Sequence, residues 1–337
     1  MQTILQQDEK EFQRVLKTAD IHRVSKYNGQ TALHFATEWP YALNILLRKG
    51  ANINAADHHG RRPIHLAVEL GVCSSVQALL QADCTLYTPV SYPPLLYKAL
   101  SILHLGNNLW IPTVEIHAMI ETVVSAIIDR CKRLRNLAEI LLDEETKVSI
   151  NLSRDNALDE RKATMIRKLL LSNGHEVPAA LELDEHCLYD QIDFWHRLTP
   201  AVANQLYLAG FTSSLEHQEE NALSPLLKSW SWGDIDMVEW FISKGLHEYS
   251  QYKRLCGLHL YAAWCSHSLL HFGMPGQKDR NKRMLNLAEN LVLRHDNCAC
   301  HCSPGGCTPI SILTKNYLWY SHTKKKSGST WESLNTR

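Results

Sequence analysis

The densest group of reactive side chains in the 337-residue chain is Cys298-Ala299-Cys300-His301-Cys302, with Cys307 five residues further on. Four thiols and an imidazole so close together have the chemistry of a tetrahedral zinc site. The gaps between the cysteines are one, one and four residues. Structural zinc sites usually pair Cys-x₂₋₄-Cys with a second Cys/His pair well downstream, and none follows here. The cluster therefore reads first as small side chains packed under a turn. Zinc held by Cys298, Cys300, Cys302 and Cys307 is the alternative.

Among 18 histidines, His34 and His65 invite a general-base reading. No nucleophile signature accompanies them, since Gly-x-Ser-x-Gly and His-Glu-x-x-His are both absent. Neither phosphate-cradling glycine motif, Gly-x-x-x-x-Gly-Lys-Ser/Thr or Gly-x-Gly-x-x-Gly, is present. No catalytic residue and no cofactor is predicted. Nine tryptophans raise the question of binding hot spots. Trp240 fits a core position, whereas Trp39 and Trp232 are expected to be exposed.

Charge narrows the partner. Lys+Arg and Asp+Glu both total 35, and the net charge is zero. That removes the basic footprint of duplex or anionic-membrane binding. The one small basic cluster, Cys131-Lys132-Arg133-Leu134-Arg135, lacks the aromatic platforms of a single-strand binder and reads as a solvated helix face. Met1 to Phe12 carries Asp8, Glu9 and Glu11, so it is no signal or transit peptide. The longest apolar stretch, Val114 to Ile128, is interrupted by Glu115, His117 and Glu121 and does not span a membrane. A cytoplasmic or nuclear location, with no secretion, is expected.

The elements that position these residues repeat along the chain. Gly29-Gln30-Thr31-Ala32-Leu33-His34-Phe35-Ala36 is followed by an apolar run ending at Gly50. Gly60-Arg61-Arg62-Pro63-Ile64-His65-Leu66-Ala67 is followed by Val76 to Leu80 and Asp83. Leu223-Ser224-Pro225-Leu226-Leu227 precedes Gly233-Asp234 and a run ending at Gly245. Thr31, Ser224 and Thr308 are placed to cap helices. Pro63, Pro225 and Pro309 follow at the first helical position, where the missing N–H costs nothing. Leu33, Ile64 and Leu226 are core plugs, and Ala36 and Ala67 keep the inner helices slim. Gly50 and Gly245 suit the left-handed position past a helix end, and Asp83 tolerates it.

These stretches resemble the ankyrin repeat, a turn–helix–turn–helix unit of about 33 residues with a Gly-x-Thr-Pro-Leu-His-x-Ala signature. The resemblance implies an all-α solenoid of stacked units, several degenerate, joined by short turn or hairpin connections. It also implies that His34 and His65 tie neighbouring units through hydrogen bonds. The spacing bends the pattern: Leu33 to Ile64 is 31 residues, the deficit falling at Glu38-Trp39-Pro40-Tyr41. A fainter unit starts at Pro94, and Asn136 to Glu144, Met165 to Gly174 and Ala201 to Phe211 look like outer helices. Gly306-Cys307-Thr308-Pro309 restates the signature near the end. The organisation expected is repeats over 1–99, a helical region over 100–200, repeats over 201–320 and a flexible tail over 321–337. The short motifs Ala209-Gly210-Phe211, Trp232-Gly233-Asp234 and Gly306-Cys307-Thr308-Pro309 look most like the divergent ankyrin proteins of filamentous fungi.

What the resemblance implies for function is protein–protein recognition by a scaffold or adaptor, without enzymatic activity. The family's concave face places the contacts at the turn tip, Asp57, His58, His59 and Arg61, and on the inner helices at Phe35, Glu38, Leu66 and Glu69. Arg61 and Arg62 beside two histidines would suit an acidic or aromatic partner. Two other functions compete: a zinc-stabilised regulatory module built on the C-terminal cysteines, and an enzyme with its site in residues 100–200. Met1 to Asp20 resembles the outer helix of a preceding repeat, as in a piece of a longer array.

Overall fold

In the computed structural model, residues 1–88, 93–105, 113–152, 160–183, 195–211, 215, 224–246, 279 and 283 are described. Among them the secondary structure is helical, with one isolated antiparallel bridge between Val24 and Thr31. The chain divides into two compact units, Met1–Gln191 with Ala201–Ser214, and Ile192–Pro200 with Leu215–Arg337.

The first unit begins with a short helix pair, α1 (Gln2–Leu5) and α2 (Glu9–Val15). A single helix was expected over this stretch. Gln7 adopts φ +51° and Asp8 caps α2 by accepting from the Glu11 N–H at 3.0 Å, so the chain turns between them. The next unit has α3 (Ala32–Phe35), a 3₁₀ turn over Ala36–Glu38 and α4 (Pro40–Arg48). Trp39 is buried, 8% exposed, against Phe12, with ring centroids 5.4 Å apart. Its expected exposure is thus corrected: the proline turn that shortens this repeat swings the indole inward onto α2.

The third repeat of this first unit places α5 (Pro63–Glu69) beside α3 and α6 (Cys73–Gln81) beside α4. Leu33, Ala36, Ile64 and Ala67 are wholly buried between them. Gly50 and Asp83 end the two outer helices at φ +80° and +60°. The inner-helix stack continues into α7 (Leu95–Leu105), which packs on α5. Where an outer helix of about nine residues would follow, α8 (Thr113–Leu141) runs for 29. At 1.5 Å per residue it is about 43 Å long. Its Ile116, Met119, Ile120, Val123, Val124, Ile127, Leu134 and Ala138 form one buried stripe at helical spacing, facing α6, α7 and α10 (Glu160–Ser172).

Two expectations for this region are corrected. Residues 136–141 are the end of α8, not a separate outer helix, because the Asp143 carboxylate caps a new helix, α9 (Glu144–Ser149). The Cys131–Arg135 cluster is solvated only in part, with Lys132 exposed. Cys131 and Leu134 are buried, and Arg133 forms a two-point ion pair with Asp83 at 2.8 and 3.2 Å. Met165 to Gly174 falls in α10 and its end. Ala201 to Phe211 contains the remainder of α11 (Pro200–Leu208), closed by Gly210 at φ +91° and buried Phe211.

In the second unit, α12 (Pro225–Trp232) and α13 (Ile235–Ser243) form a helical hairpin. Pro225 opens α12, and Ser224 Oγ accepts from the Leu227 N–H at 3.3 Å. Gly233 turns the chain at φ +66° and Asp234 caps α13. Leu226 and Trp240 are core, Trp240 stacking on Trp195 at 5.7 Å, while Trp232 is 64% exposed. Gly245 ends α13 at φ +77°.

Candidate functional site

The turns of the first unit are built as rigid hairpins. Thr31 opens α3, and its N–H donates to His34 Nδ1 at 3.1 Å, with Thr31 Oγ 2.9 Å from the same nitrogen. Since Nδ1 accepts, the ring proton sits on Nε2, which donates to the Arg61 carbonyl of the next turn at 3.1 Å. His65 repeats the device one unit on. Its Nδ1 accepts from the Arg62 N–H at 2.9 Å, and Nε2 lies 3.3 Å from Thr88 Oγ. Burial holds His34 below the usual imidazole range. Burial, helped by the Arg62 charge, pushes His65 down to about 4. Both imidazoles are neutral connectors between units, and neither reaches solvent as a general base.

The predicted contact residues separate into two groups. Asp57 is 6% exposed and its carboxylate is consumed by the turn. It accepts from the N–H groups of His59 and Arg61 and from Arg61 Nε, each at 2.9 Å. Burial pushes the Asp57 carboxyl up, but these bonds and the Arg61 charge outweigh it and hold it below its ordinary value. Arg61 also faces Glu69 at 3.6 Å, and Glu69 pairs with Lys98 of α7 at 3.0 Å. The structure uses Asp57, Arg61 and Glu69 to brace turn and inner helices, and the buried Asp57 carboxylate has its partners within the turn. Arg62 is spent likewise, donating to the Tyr87 carbonyl and lying 5.4 Å over its ring.

The second group faces outward. His58, His59 and Glu38 are exposed, and Phe35 and Leu66 are half-buried on the inner helices. Tyr27, at the preceding turn, is 97% exposed and was missed, because nothing in its sequence context distinguishes a tip residue from a turn filler. Successive tips are in contact. The His58 N–H donates to the Asn28 carbonyl at 3.0 Å, and Gly29, at φ +74°, sits so close that a Cβ there would lie 2.7 Å from His58 N.

Among the described residues, no three His, Cys, Asp or Glu side chains gather as a metal site. Cys298, Cys300, Cys302, Cys307, Thr308 and Pro309, and the tail, lie outside the described residues. Cys73, Cys84 and Cys131 are thiols outside any disulfide, and burial pushes the Cys84 thiol up to about 12. No helix among the described residues is long and apolar enough to cross a membrane.

Residues 1–88, the segment that carries these turns, match the family model for ankyrin repeats in three copies. This segment carries the ankyrin-repeat fold. The ankyrin match takes in 88 of the 337 residues, a span that includes α1 and α2. Solved structures similar to the chain include the human ASB11 ankyrin repeat domain, at 15% identity over 81% of this chain and 97% of that one, TM-score 0.40. Another is the ankyrin repeat domain of Bcl-3, described as a unique member of the IkappaB protein family. It is 13% identical over 92% and 91% of the two chains, TM-score 0.31. No curated protein matches the sequence.

Proposed function

We propose that this protein is a non-enzymatic adaptor that recognises another protein through the turn tips and inner helices of its ankyrin repeats. The observation that carries the reading is the division of labour in those turns. Every charged group needed to hold them, Asp57, Arg61 and Glu69, is satisfied internally. Tyr27, His58 and His59 are left exposed along a row whose backbone is fixed by Gly29, His34 and His65. A row of prearranged amphipathic side chains binds with little ordering cost. Such a surface suits a protein partner better than nucleic acid or a membrane, and a cytoplasmic or nuclear setting belongs to the same proposal. So does kinship with the fungal ankyrin proteins, which rests on the Ala209-Gly210-Phe211, Trp232-Gly233-Asp234 and Gly306-Cys307-Thr308-Pro309 motifs.

The test is site-specific photo-crosslinking in lysate of the source cells. A photoreactive residue at His59 is expected to trap a discrete protein that one at exposed Ser74 on α6 does not. Alanine at Tyr27, His58 and His59 together should abolish the adduct while preserving the helical spectrum. Equal trapping at Ser74, or trapping that survives the triple alanine, overturns the assignment.

A further inference from the structure

The strongest unassigned feature lies among α1 to α4 of the first unit. A half-open cavity of about 650 Å³ is floored by Ile4, Phe12, Val15, Leu16, Ala32 and Leu46. One wall is the segment after α2, which includes Arg23, Val24, Lys26 and Tyr27. That wall is preformed. The Ser25 N–H donates to the Gln30 carbonyl at 2.8 Å, the Gly29 N–H to the Ser25 carbonyl at 2.9 Å, and Val24 bridges Thr31.

The rim of this cavity gathers three cations within ten residues of chain. Arg61, Lys98, Arg133 and Arg135 each hold a carboxylate within 4 Å. Arg23 and Lys26 in the wall, and Lys17 beside it, are exposed and have no ion-pair partner among the described residues. Asp20 is the acid in the lining, and one of its oxygens accepts from the His22 N–H at 2.9 Å. An apolar floor with unpaired cations along its rim is complementary to a segment that places apolar side chains next to carboxylates. A small-molecule pocket would instead hold its few polar groups inside, where they fix orientation.

We infer that this cavity docks a short acidic amphipathic segment of a partner protein, with apolar side chains on the floor formed by α1 to α4 and carboxylates against Arg23, Lys26 and Lys17. The site shares Tyr27 with the row of turn tips but neither His58 nor His59, so H58A/H59A distinguishes its failure from failure of the tip reading. Rim cations of this kind speed encounter and select against basic sequences. The apolar floor supplies the anchor.

Selection of random 12-residue peptides displayed on phage, against the full chain, tests the inference. Enriched peptides are expected to carry one or two Leu, Ile or Phe residues flanked by Asp or Glu. A synthetic peptide of the enriched sequence should lose affinity by about tenfold or more, near 1.4 kcal/mol, for the R23E/K26E variant. V24D, at an exposed wall position, should weaken it as well, and the Tyr27-sparing variant H58A/H59A should not. Unchanged melting curves for R23E/K26E and V24D keep the result from being one of misfolding. Absence of any enriched peptide, enrichment of neutral or basic peptides, or full affinity for both wall variants overturns it. So does a self-association in solution that R23E/K26E abolishes, because the occupant would then be a second copy of this chain.

Discussion

His65 shows how a residue that looks catalytic is placed out of reach of catalysis. Its ring is buried, accepts at Nδ1 from the first turn of its own helix and points Nε2 at Thr88 of the next turn. A titration follows from that burial. The folded-state value near 4 lies below the unfolded value near 6.5, so the unfolded chain takes up the proton first. The stabilisation is full above about pH 6.5 and is lost as pH falls towards 4, by up to about 3 kcal/mol. His34 and Asp57, also depressed, act in the same direction. Urea midpoints measured between pH 7.5 and 4.5 should fall steeply for the native chain. The slope should flatten for His65→Gln, which cannot titrate; an identical slope would remove His65 from the account. The Thr31–His34 cap and the fate of Gly50 were legible from sequence, because each depends on partners within a few positions. The internal capture of Arg61 and Glu69 was not, since their partnership depends on where α5 and α7 pack.

At the scale of elements, α8 decides how the repeat stack ends. Its apolar stripe is readable as a helix from residue spacing alone. Arg130 sits in line with that stripe, buried to 2% exposure. Its guanidinium donates to the carbonyls of Cys84 at 2.7 Å and Ala180 at 2.8 Å, 46 and 50 residues away. These carbonyls follow α6 and close the loop before Leu181, so one side chain joins the last ankyrin unit to the segment after α10. Arg130→Met keeps much of the volume and strands the acceptors. It should cost about 1–3 kcal/mol in chemical denaturation of the full chain. Arg133→Ala removes a largely exposed pair with Asp83 and should cost about 0–1 kcal/mol. If the two variants lose equal stability, α8 is held by its apolar stripe and not by the Arg130 anchor. Sequence reasoning took Cys131 to Arg135 for a solvated face because nothing local to Arg133 identifies Asp83, 50 residues away, as its partner.

For the whole molecule, composition and the arrangement of units speak to different questions. Zero net charge describes the sum, but the charges are not evenly used. In the first unit they are paired around Asp57, Glu69 and Asp83 and unpaired around Arg23 and Lys26. Metal content is a property of the full chain, and the four cysteines from Cys298 to Cys307 set the prediction. Their one-, one- and four-residue gaps favour reduced thiols over a closed tetrahedral site. Treatment of the purified protein with a thiol-blocking reagent, followed with a zinc indicator, should release well under one equivalent. Release of one equivalent would instead establish the zinc-stabilised module.

The sequence by itself determined the helical class, the turn chemistry and the position of each repeat over residues 29–83. These follow from caps, prolines at helix starts and left-handed residues at helix ends, all of which act within one turn of chain. Only the tertiary structure decided which turn side chains are spent on bracing and which face outward. It also turned Trp39 inward, extended α8 to 29 residues and left an apolar cavity rimmed by free cations. The physical reason is the same in each case. Burial and ion pairing depend on what another part of the chain brings within a few ångströms, and the spacing of residue types carries no record of that.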